Sequence, residues 1–263
     1  MISADLLNWT LGQFLNLLVI MTRVGPLIFL MPIIGSVTVP VQMKVLFTLM
    51  TSLVLLPMIN IPHSALPTGP LQVALLVLSE VLFGAILALF ARMVFAAVET
   101  AGQMVGIQMG MGVAGVMDPQ FGVQISLVGY FWSLIAFLIF LGINGHHFFF
   151  RTMVESFAWV APGKIDLNQA TFNGVVQGAG HMFVLAVKIM APASAAIFFT
   201  HVAMGIIAKT VPQIPILIVG LPLNIGVGLI FVGLSLSFFM PIMVKNFEIL
   251  GRLLTKLAIG MGG

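Results

Sequence analysis

Long apolar runs, separated by few charged residues, dominate the hydrophobic and polar pattern of the chain. Asp, Glu, Lys and Arg are absent from residues 24–43, 45–79, 119–150 and 210–244. Each run can hold a membrane-spanning helix, which needs about 20 apolar residues. Proline and glycine divide the runs, because proline removes a backbone donor and clashes with the preceding turn. The pattern predicts about six hydrophobic helical segments, near residues 6–30, 41–56, 71–109, 124–143, 174–208 and 223–240.

The third and fifth predicted segments are longer than one span. We expect them to be tilted, kinked or broken, with the kink of the fifth at Pro192. The longest polar stretch, residues 151–173, predicts one loop with a short amphipathic piece. The predicted fold class is therefore an all-α membrane protein, one domain over residues 1–263, in which several helical segments are broken or kinked.

Composition supports the membrane class and excludes others. Hydrophobic residues make up 60% of the chain and charged residues 6%, whereas roughly a quarter of the residues in soluble domains are charged. The net charge of +3 comes from 10 basic and 7 acidic residues, so the chain has no basic patch of the kind that binds nucleic acid. The absence of cysteine excludes disulfides and thiolate metal sites.

The sequence lacks the residue patterns of intramembrane enzymes. His146 and His147 are adjacent, so on a helix their rings would point about 100° apart, whereas a zinc pair needs i, i+4 spacing. His63, His181 and His201 are isolated, and neither His-Glu-x-x-His nor Gly-x-Ser-x-Gly occurs. The sequence predicts a non-enzymatic protein without a metal or cofactor, with the adjacent histidines at a helix end near the membrane surface.

Four ionisable residues lie inside long apolar segments: Glu80, Arg92, Glu99 and Lys188. Each would cost about 2.5–3.5 kcal/mol on insertion scales unless it is paired or faces a cavity. Arg92 and Glu99 are seven residues apart, which places them on one helix face. We expect the four groups to pair across helices. A proton or ion relay is the alternative, which would normally place an acidic residue beside an unwound segment.

Glycine and methionine are concentrated between residues 102 and 119. Gly102, Gly106 and Gly110 recur every four residues, a spacing that favours close helix packing. Later glycines and an Asp-Pro pair make a continued helix improbable, yet the segment stays apolar, so its backbone must be buried in protein or line a cavity. Methionine adapts to irregular shapes, so Met111 and Met117 fit a pore plug. An ordinary turn at the membrane interface is the alternative.

A second break lies between residues 209 and 224. Pro212, Pro215 and Pro222 forbid a continuous helix, and the apolar run 214–219 is too short to span a bilayer. The pattern fits a helix hairpin buried in a protein assembly, and equally the discontinuous helix of a transporter.

Over essentially its whole length the chain resembles the FliR, SpaR and EscT family of the type III secretion export apparatus. The most specific match is Pro212-Gln213, followed by an apolar run and Gly220-x-Pro222. Next comes the glycine-rich segment from Gly102, with Asp118-Pro119 behind it. Pro215 departs from the family pattern, in which a polar residue is expected. Supporting matches are Arg23, Gly25, Pro26, Pro32, Pro40, Lys44, Glu80, Gly84, Asn144, Gly145, His146, His147 and Ser156.

The resemblance implies a subunit of a spiral hetero-assembly that forms the entrance channel for unfolded flagellar proteins. Family members join FliP-like and FliQ-like subunits, with FlhB-like and FlhA-like export proteins as further partners. The implied location is the bacterial inner membrane at the flagellar basal body, and the flagellar branch matches more closely than the injectisome branch. The same resemblance divides the chain into a FliP-like portion, residues 1–173, and a FliQ-like helical hairpin, residues 174–263.

The resemblance also implies roles for individual residues. A loop that projects into the channel and closes it would contain Gly106, Gln108, Met109, Gly110, Met111, Gly112, Gly115, Met117 and Asp118. The hairpin near partner subunits would be shaped by Pro212, Gln213, Gly220 and Pro222. The main alternative function is a secondary transporter with a substrate site at 212–222 and Glu80 as coupling residue. An intramembrane enzyme dependent on His146 or His147 is a third class.

Overall fold

The structure of the protein is a computed structural model that describes residues 4–31, 34–36, 39–59, 61, 69–111, 126–213 and 215–262. Within these ranges the long regular elements are all α-helices, which confirms the predicted all-α class. In chain order they are α1 (Ala4–Leu30), α2 (Val41–Leu55), α3 (Pro70–Gln108), α4 (Leu127–Gly142), α5 (Gly145–Trp159), α6 (Gln169–Thr210) and α7 (Ile216–Gly260).

Several of these helices are long and apolar enough to cross a membrane. In the part of the chain that is described they are α1, α3, α6 and α7, and α4 with α5 qualifies as a further span only as a bent pair. Helices α3, α6 and α7 contain 39, 42 and 45 residues. At a rise of 1.5 Å per residue their lengths are about 58–68 Å, roughly twice the thickness of the hydrocarbon core. The prediction that some segments exceed one span is confirmed.

The polar stretch 151–173 was predicted as a loop with a short amphipathic piece, and the structure contains both, although the amphipathic piece belongs to α5 and the loop is confined to residues 160–168. Helix α5 continues to Trp159 because it buries one face, formed by Phe149, Thr152, Met153 and Ser156, at the i, i+3, i+4, i+7 spacing of an amphipathic helix. The true connection is short. It ends at Asn168, whose side-chain oxygen accepts a hydrogen bond of 2.9 Å from the backbone N–H of Thr171 and so caps α6.

The last helix is also longer than predicted. The sequence placed its start near residue 223 and its end near 240, but α7 runs from Ile216 to Gly260 and contains both Pro222 and Pro241. Proline removes only one intrahelical bond, and Phe239 and Met243, on either side of Pro241, are both buried. Burial on both sides of Pro241 therefore keeps α7 continuous at a residue that sequence rules treat as a helix end.

The chain folds into two compact units. The first consists of Met1–Met93, Asn144–Gly178 and Ile249–Gly263. Its core includes one face of α1, with Val24 and Ile28 fully buried. Helix α1 lies so close to α3 that a Cβ atom added to Gly84 would overlap the backbone carbonyl of Arg23. Only glycine fits at that crossing.

The second unit consists of Val94–Ile143 and Ala179–Glu248. Phe95, Phe140 and Phe247 form an aromatic cluster that joins α3, α4 and α7, with ring centroids 5.2 to 5.6 Å apart. Trp132 of α4 stacks on Phe239 of α7 at 6.1 Å. All five rings are buried, and they contribute large apolar surfaces to the contacts among the three helices.

Candidate functional site

The glycine-rich end of α3 terminates at a defined point. The backbone N–H of Met111 bonds to the carbonyl of Gly106 at 3.1 Å, and the N–H of Gly110 bonds to the carbonyl of Ile107 at 2.9 Å. These two bonds are those of a Schellman motif, in which the residue after the C-cap is left-handed. Gly110 has φ +83°, a conformation that glycine adopts without strain. Gly110 therefore terminates α3 and lies just beyond its last helical residue.

Gly102 and Gly106 allow α3 and α4 to approach each other closely. A Cβ atom at Gly102 would overlap the backbone of Gly129, and one at Gly106 would overlap the side chain of Ser126. Ser126 caps α4 by accepting from the N–H of Gly129, and its hydroxyl donates to the carbonyl of Gly102 at 2.9 Å. The start of α4 is thus fixed directly to the last turns of α3.

Met109 and Gly110 contact α7. The Met109 side chain is fully buried and lies on Gly228, where an added Cβ would come within 2.6 Å of it. The side chain of Leu221 fills the space beside Gly110. The last helical turn of α3 is therefore held by α4 on one side and α7 on another, and the segment that follows it leaves from an anchored position.

Part of the predicted gating loop lies outside the described residues. Gly112, Gly115, Met117 and Asp118 belong to residues 112–125, which the structure does not describe. Gln108 ends α3, and its side-chain oxygen is buried without a hydrogen-bond partner among the described residues. The role of this loop stays a prediction.

The helix break predicted between residues 209 and 224 is present but shorter than expected. α6 ends at Thr210 and α7 begins at Ile216, so Pro212, Gln213 and Pro215 lie in the connection, where all three are exposed. Gly220 and Pro222, by contrast, lie within the first turns of α7, where Gly220 is buried and Pro222 exposed. The partner contacts predicted for these four motif residues stay a prediction.

Glu80 belongs to a buried network in the first unit. It pairs with Arg23, whose Nε donates to Oε2 at 2.5 Å and whose Nη2 donates to Oε1 at 3.1 Å. The backbone N–H of Gly163 donates to Oε1 at 2.9 Å. Arg23 also donates to the hydroxyl of Ser156 at 3.3 Å and to the carbonyl of Val160 at 3.1 Å.

Two aromatic rings complete the surroundings of the Arg23 guanidinium. Its central carbon lies 4.6 Å from the ring centre of Phe83 and 4.1 Å from that of Phe157, within the range of cation–π attraction. Arg23 and Glu80 are 1% and 2% exposed. The network joins α1, α3, α5 and the connection after α5, so it is a structural clasp and offers no open face to a substrate.

The other predicted intramembrane charges are arranged differently. Arg92, Glu99 and Lys188 are exposed, and the ion pairs within the described part of the chain are Arg23–Glu80 and Arg151–Glu155. Pairing of the three exposed groups with helices of other subunits stays a prediction.

The histidines form no metal site within the described ranges. No group of three or more His, Asp or Glu side chains there could hold a metal ion. His146 and His147 stack edge to face at the start of α5, with ring centres 4.3 Å apart. His181 and His201 each pair with an asparagine of α7.

Sequence reasoning missed some of the residues that build these two sites. Arg23 was identified only through the family pattern, although its charge is the obvious complement to Glu80 in an otherwise apolar helix. Ser126 could have been found as the Ser before an apolar run that marks a helix start. Leu221 and Gly228 carry no local signal, because their importance arises from the packing of α7 against the end of α3.

Comparison with known proteins gives a consistent result. The sequence model of the family described as bacterial export proteins, family 1, matches residues 14–250. The chain is 32% identical to the flagellar biosynthetic protein FliR of Bacillus subtilis, covering 88% of this chain and 90% of that protein. It is 26% identical to FliR of Pectobacterium carotovorum, covering 97% of each, and 27% identical to FliR of Escherichia coli, covering 86% and 85%.

Proposed function

The chain belongs to the bacterial export proteins, family 1, and from this membership we propose that it is a channel-forming gate subunit of the flagellar protein export apparatus. The relatives are flagellar biosynthetic proteins, and the long apolar helices suit a membrane component of that apparatus. In the proposed role the chain joins FliP-like and FliQ-like subunits around an entrance pore for unfolded flagellar proteins. FlhB-like and FlhA-like proteins are the further partners, in the bacterial inner membrane at the basal body.

The anchored end of α3 is the observation that carries the gate proposal. Met109 and Gly110 fix the last turn of α3 against α7, and the Schellman motif directs the chain out of the helix at a single point. The residues that follow are rich in glycine and methionine, which can fill an irregular opening and then rearrange. A loop that starts from a fixed base and has adaptable side chains is suited to closing a pore reversibly.

Removing the loop tests this proposal. Deletion of residues 112–116 leaves Met109, Gly110 and Met111 in place, so the contacts with α7 are kept. We expect the assembled complex to leak small ions through its closed state, measured as conductance in planar bilayers. A Gly-Ser replacement of the same five residues keeps the chain length and tests whether the apolar side chains themselves are needed.

Assembly must be verified in the same samples. Co-purification of the FliP-like and FliQ-like subunits at the ratio of the unmodified complex shows that the deletion has not disrupted it. An assembled deletion complex whose closed-state conductance is unchanged would contradict the plug assignment.

The transporter alternative requires Glu80 to bind and release a coupling ion. Its carboxylate already accepts hydrogen bonds from Arg23 and Gly163 and is 2% exposed. Because those donors occupy it and water does not reach it, the geometry supports a structural role for Glu80.

A further inference from the structure

Helix α3 carries an exposed carboxylate for which this chain supplies no counter-charge. Glu99 is exposed, and it takes no part in the ion pairs of the described residues, which are Arg23–Glu80 and Arg151–Glu155. All ten lysines and arginines of the chain lie within the described ranges, so the residues outside those ranges hold no further Lys or Arg that could pair with it. A lysine or arginine that pairs with Glu99 must therefore come from another protein.

Two further polar side chains lie beside Glu99. Gln103 is one turn further along α3 and is also exposed, so its Cβ atom is about 5–6 Å from that of Glu99. Tyr130 of α4 follows Gly129, where an added Cβ would lie 3.3 Å from the carbonyl oxygen of Glu99 and 3.5 Å from the backbone nitrogen of Gln103. Tyr130 itself is 63% exposed. Glu99, Gln103 and Tyr130 together are called the Glu99 patch below.

The Glu99 patch lies on the side of α3 and α4 that is turned away from α7. Met109 marks the side of α3 that contacts α7, and Trp132 marks that side of α4. At 100° per residue, Glu99 and Gln103 lie about 80° and about 120° around α3 from Met109. Tyr130 lies about 160° around α4 from Trp132. No helix of the second unit that is described here occupies this side, and the patch is open to a partner.

Neither lipid nor water suits this surface. An unpaired carboxylate is costly in hydrocarbon, so acyl chains are a poor cover for Glu99. The positions one turn beyond the patch are large and apolar, namely Ile107 on α3 and Leu134 on α4, and they are 58% and 47% exposed. Removing such side chains from water is favourable. A protein surface that places a cation among apolar side chains meets both requirements.

Arginine is the cation that fits these three side chains. A carboxylate, an amide oxygen and a phenolic oxygen are acceptors on two helices, and a guanidinium donates five N–H groups in a fixed plane, whereas an ammonium is a compact point charge. An aromatic ring such as that of Tyr130 also attracts a guanidinium. Arg23 is bound by similar groups in the first unit, where a carboxylate, a hydroxyl and aromatic rings surround it.

We propose that the Glu99 patch binds an arginine side chain of a neighbouring subunit. This inference rests on the proposed function in requiring an export complex, but it does not require the loop after α3 to act as a plug. Glu99 supplies the charge, and Gln103 and Tyr130 position the guanidinium. Because Glu99 pairs with no lysine or arginine of its own chain, its loss should weaken subunit association and leave the fold of the chain intact.

Charge changes at Glu99 test the proposal in the complete complex. We expect Glu99→Gln to speed dissociation of the neighbouring subunit at least about tenfold, because the partner's guanidinium is left buried and unpaired. Glu99→Arg should prevent association by like-charge repulsion. The melting temperature of the isolated chain should be the same in both variants as in the unmodified protein. Glu155→Gln, whose carboxylate has Arg151 as partner within the chain, is the matched control and should change neither measurement.

A photo-crosslinking residue in place of Ile107, beside the intact patch, identifies the partner. The peptide captured in the purified complex should contain an arginine, and exchange of that arginine for glutamate should restore association of the Glu99→Arg variant. A captured peptide without arginine, or normal association of both Glu99 variants, would overturn the proposal.

Access of water to the patch is a separate measurement, which the absence of cysteine from the chain permits. In the complex, Ile107→Cys should react with a water-soluble maleimide at least about tenfold more slowly than in the isolated chain, because the partner covers it. Equal rates would place the patch in a water-filled space and overturn the proposal. Failure of the unmodified chain to co-purify with other subunits would overturn the proposed function as well, whereas normal assembly of the Glu99 variants would leave that function intact.

Discussion

Arg23 shows how one charged side chain can organise several helices. Its guanidinium makes four hydrogen bonds to Glu80, Ser156 and Val160 and lies against two aromatic rings. Arginine suits this position because its planar group donates in several directions at once and stacks on rings. The same planarity means that lysine could not replace it without leaving acceptors unpaired.

Neutralising Glu80 should show how strongly the stability of the fold depends on the Arg23–Glu80 pair. In Glu80→Gln the buried Arg23 loses its counter-charge, and breaking a buried pair in this way costs about 3–5 kcal/mol. We expect a sharp fall in the amount of folded protein in the membrane and in its thermal stability in detergent. Glu155→Gln, at the exposed Arg151–Glu155 pair, is the control and should change neither measurement.

The opposite pattern would support the transporter alternative. If Glu80→Gln gave a normally folded and assembled protein that had lost only ion coupling, the structural role assigned to this carboxylate would be wrong. The double variant Arg23→Met with Glu80→Met removes both charges and should recover part of the lost stability.

At the scale of elements, the crossing of α3 and α4 depends on the absence of side chains. Gly102 meets the backbone of Gly129 directly, so the two helices approach more closely than ordinary side chains would permit. Dispersion forces between the two backbones and the Ser126 hydrogen bond replace side-chain packing there.

Gly102→Ala should therefore destabilise the protein. The added methyl group overlaps the backbone of Gly129, and overpacking of this kind costs about 1–3 kcal/mol. Gly233→Ala is the matched control, because no atom lies within 4 Å of an added Cβ there, and the higher helix propensity of alanine should stabilise by about 0.5–1 kcal/mol. Thermal unfolding of both variants measures the difference. Equal melting temperatures would contradict the close crossing.

Local sequence signals predicted the first three helices almost to the residue. The predicted segments 6–30, 41–56 and 71–109 correspond to α1, α2 and α3, because glycine, proline and polar residues end these helices. The predicted segments 124–143 and 174–208 likewise match α4 and α6 within about five residues, whereas α5 was not predicted as a separate helix and α7 extends beyond both predicted ends. Burial of Phe239 and Met243 carries α7 through Pro241, and no local pattern contains that information.

The residues of the candidate site were also predicted only in part. The glycines of α3 and the ionisable residues were identified from spacing and charge alone. Their partners were not, since Gly228 and Gly163 contribute only backbone and position to the contacts with Met109 and Glu80. Residues that act through their backbone carry no chemical signature in a sequence.

At the scale of the whole molecule, the amount of exposed apolar surface requires partners. Large apolar side chains are exposed on α2, on the turn that follows it and on α3, as well as on α6 and α7, including Val54, Met58 and Leu71 at 68%, 68% and 72%. Soluble monomers rarely expose apolar patches of such extent, and lipid or other subunits must cover them.

Native mass spectrometry of a gently extracted complex tests this requirement. We expect the chain to appear with several copies of other small membrane proteins, because in the proposed gate complex subunit interfaces would cover part of its exposed apolar surface. Extraction in a harsh detergent is the control and should release the single chain. A single polypeptide species under gentle conditions would count against the gate proposal and favour a transporter.

The clasp around Arg23 also has a consequence during synthesis of the chain. Arg23 precedes Glu80 by 57 residues and Ser156 by 133 residues. At a translation rate of about 5–20 residues per second, Arg23 waits about 3–11 seconds for its counter-charge and about 7–27 seconds for its serine partner. During that interval the nascent α1 carries an unpaired guanidinium, so its final position is fixed only after the ribosome has delivered α3 and α5. Helix α1 is thus the first helix to be synthesised and among the last to reach its final position.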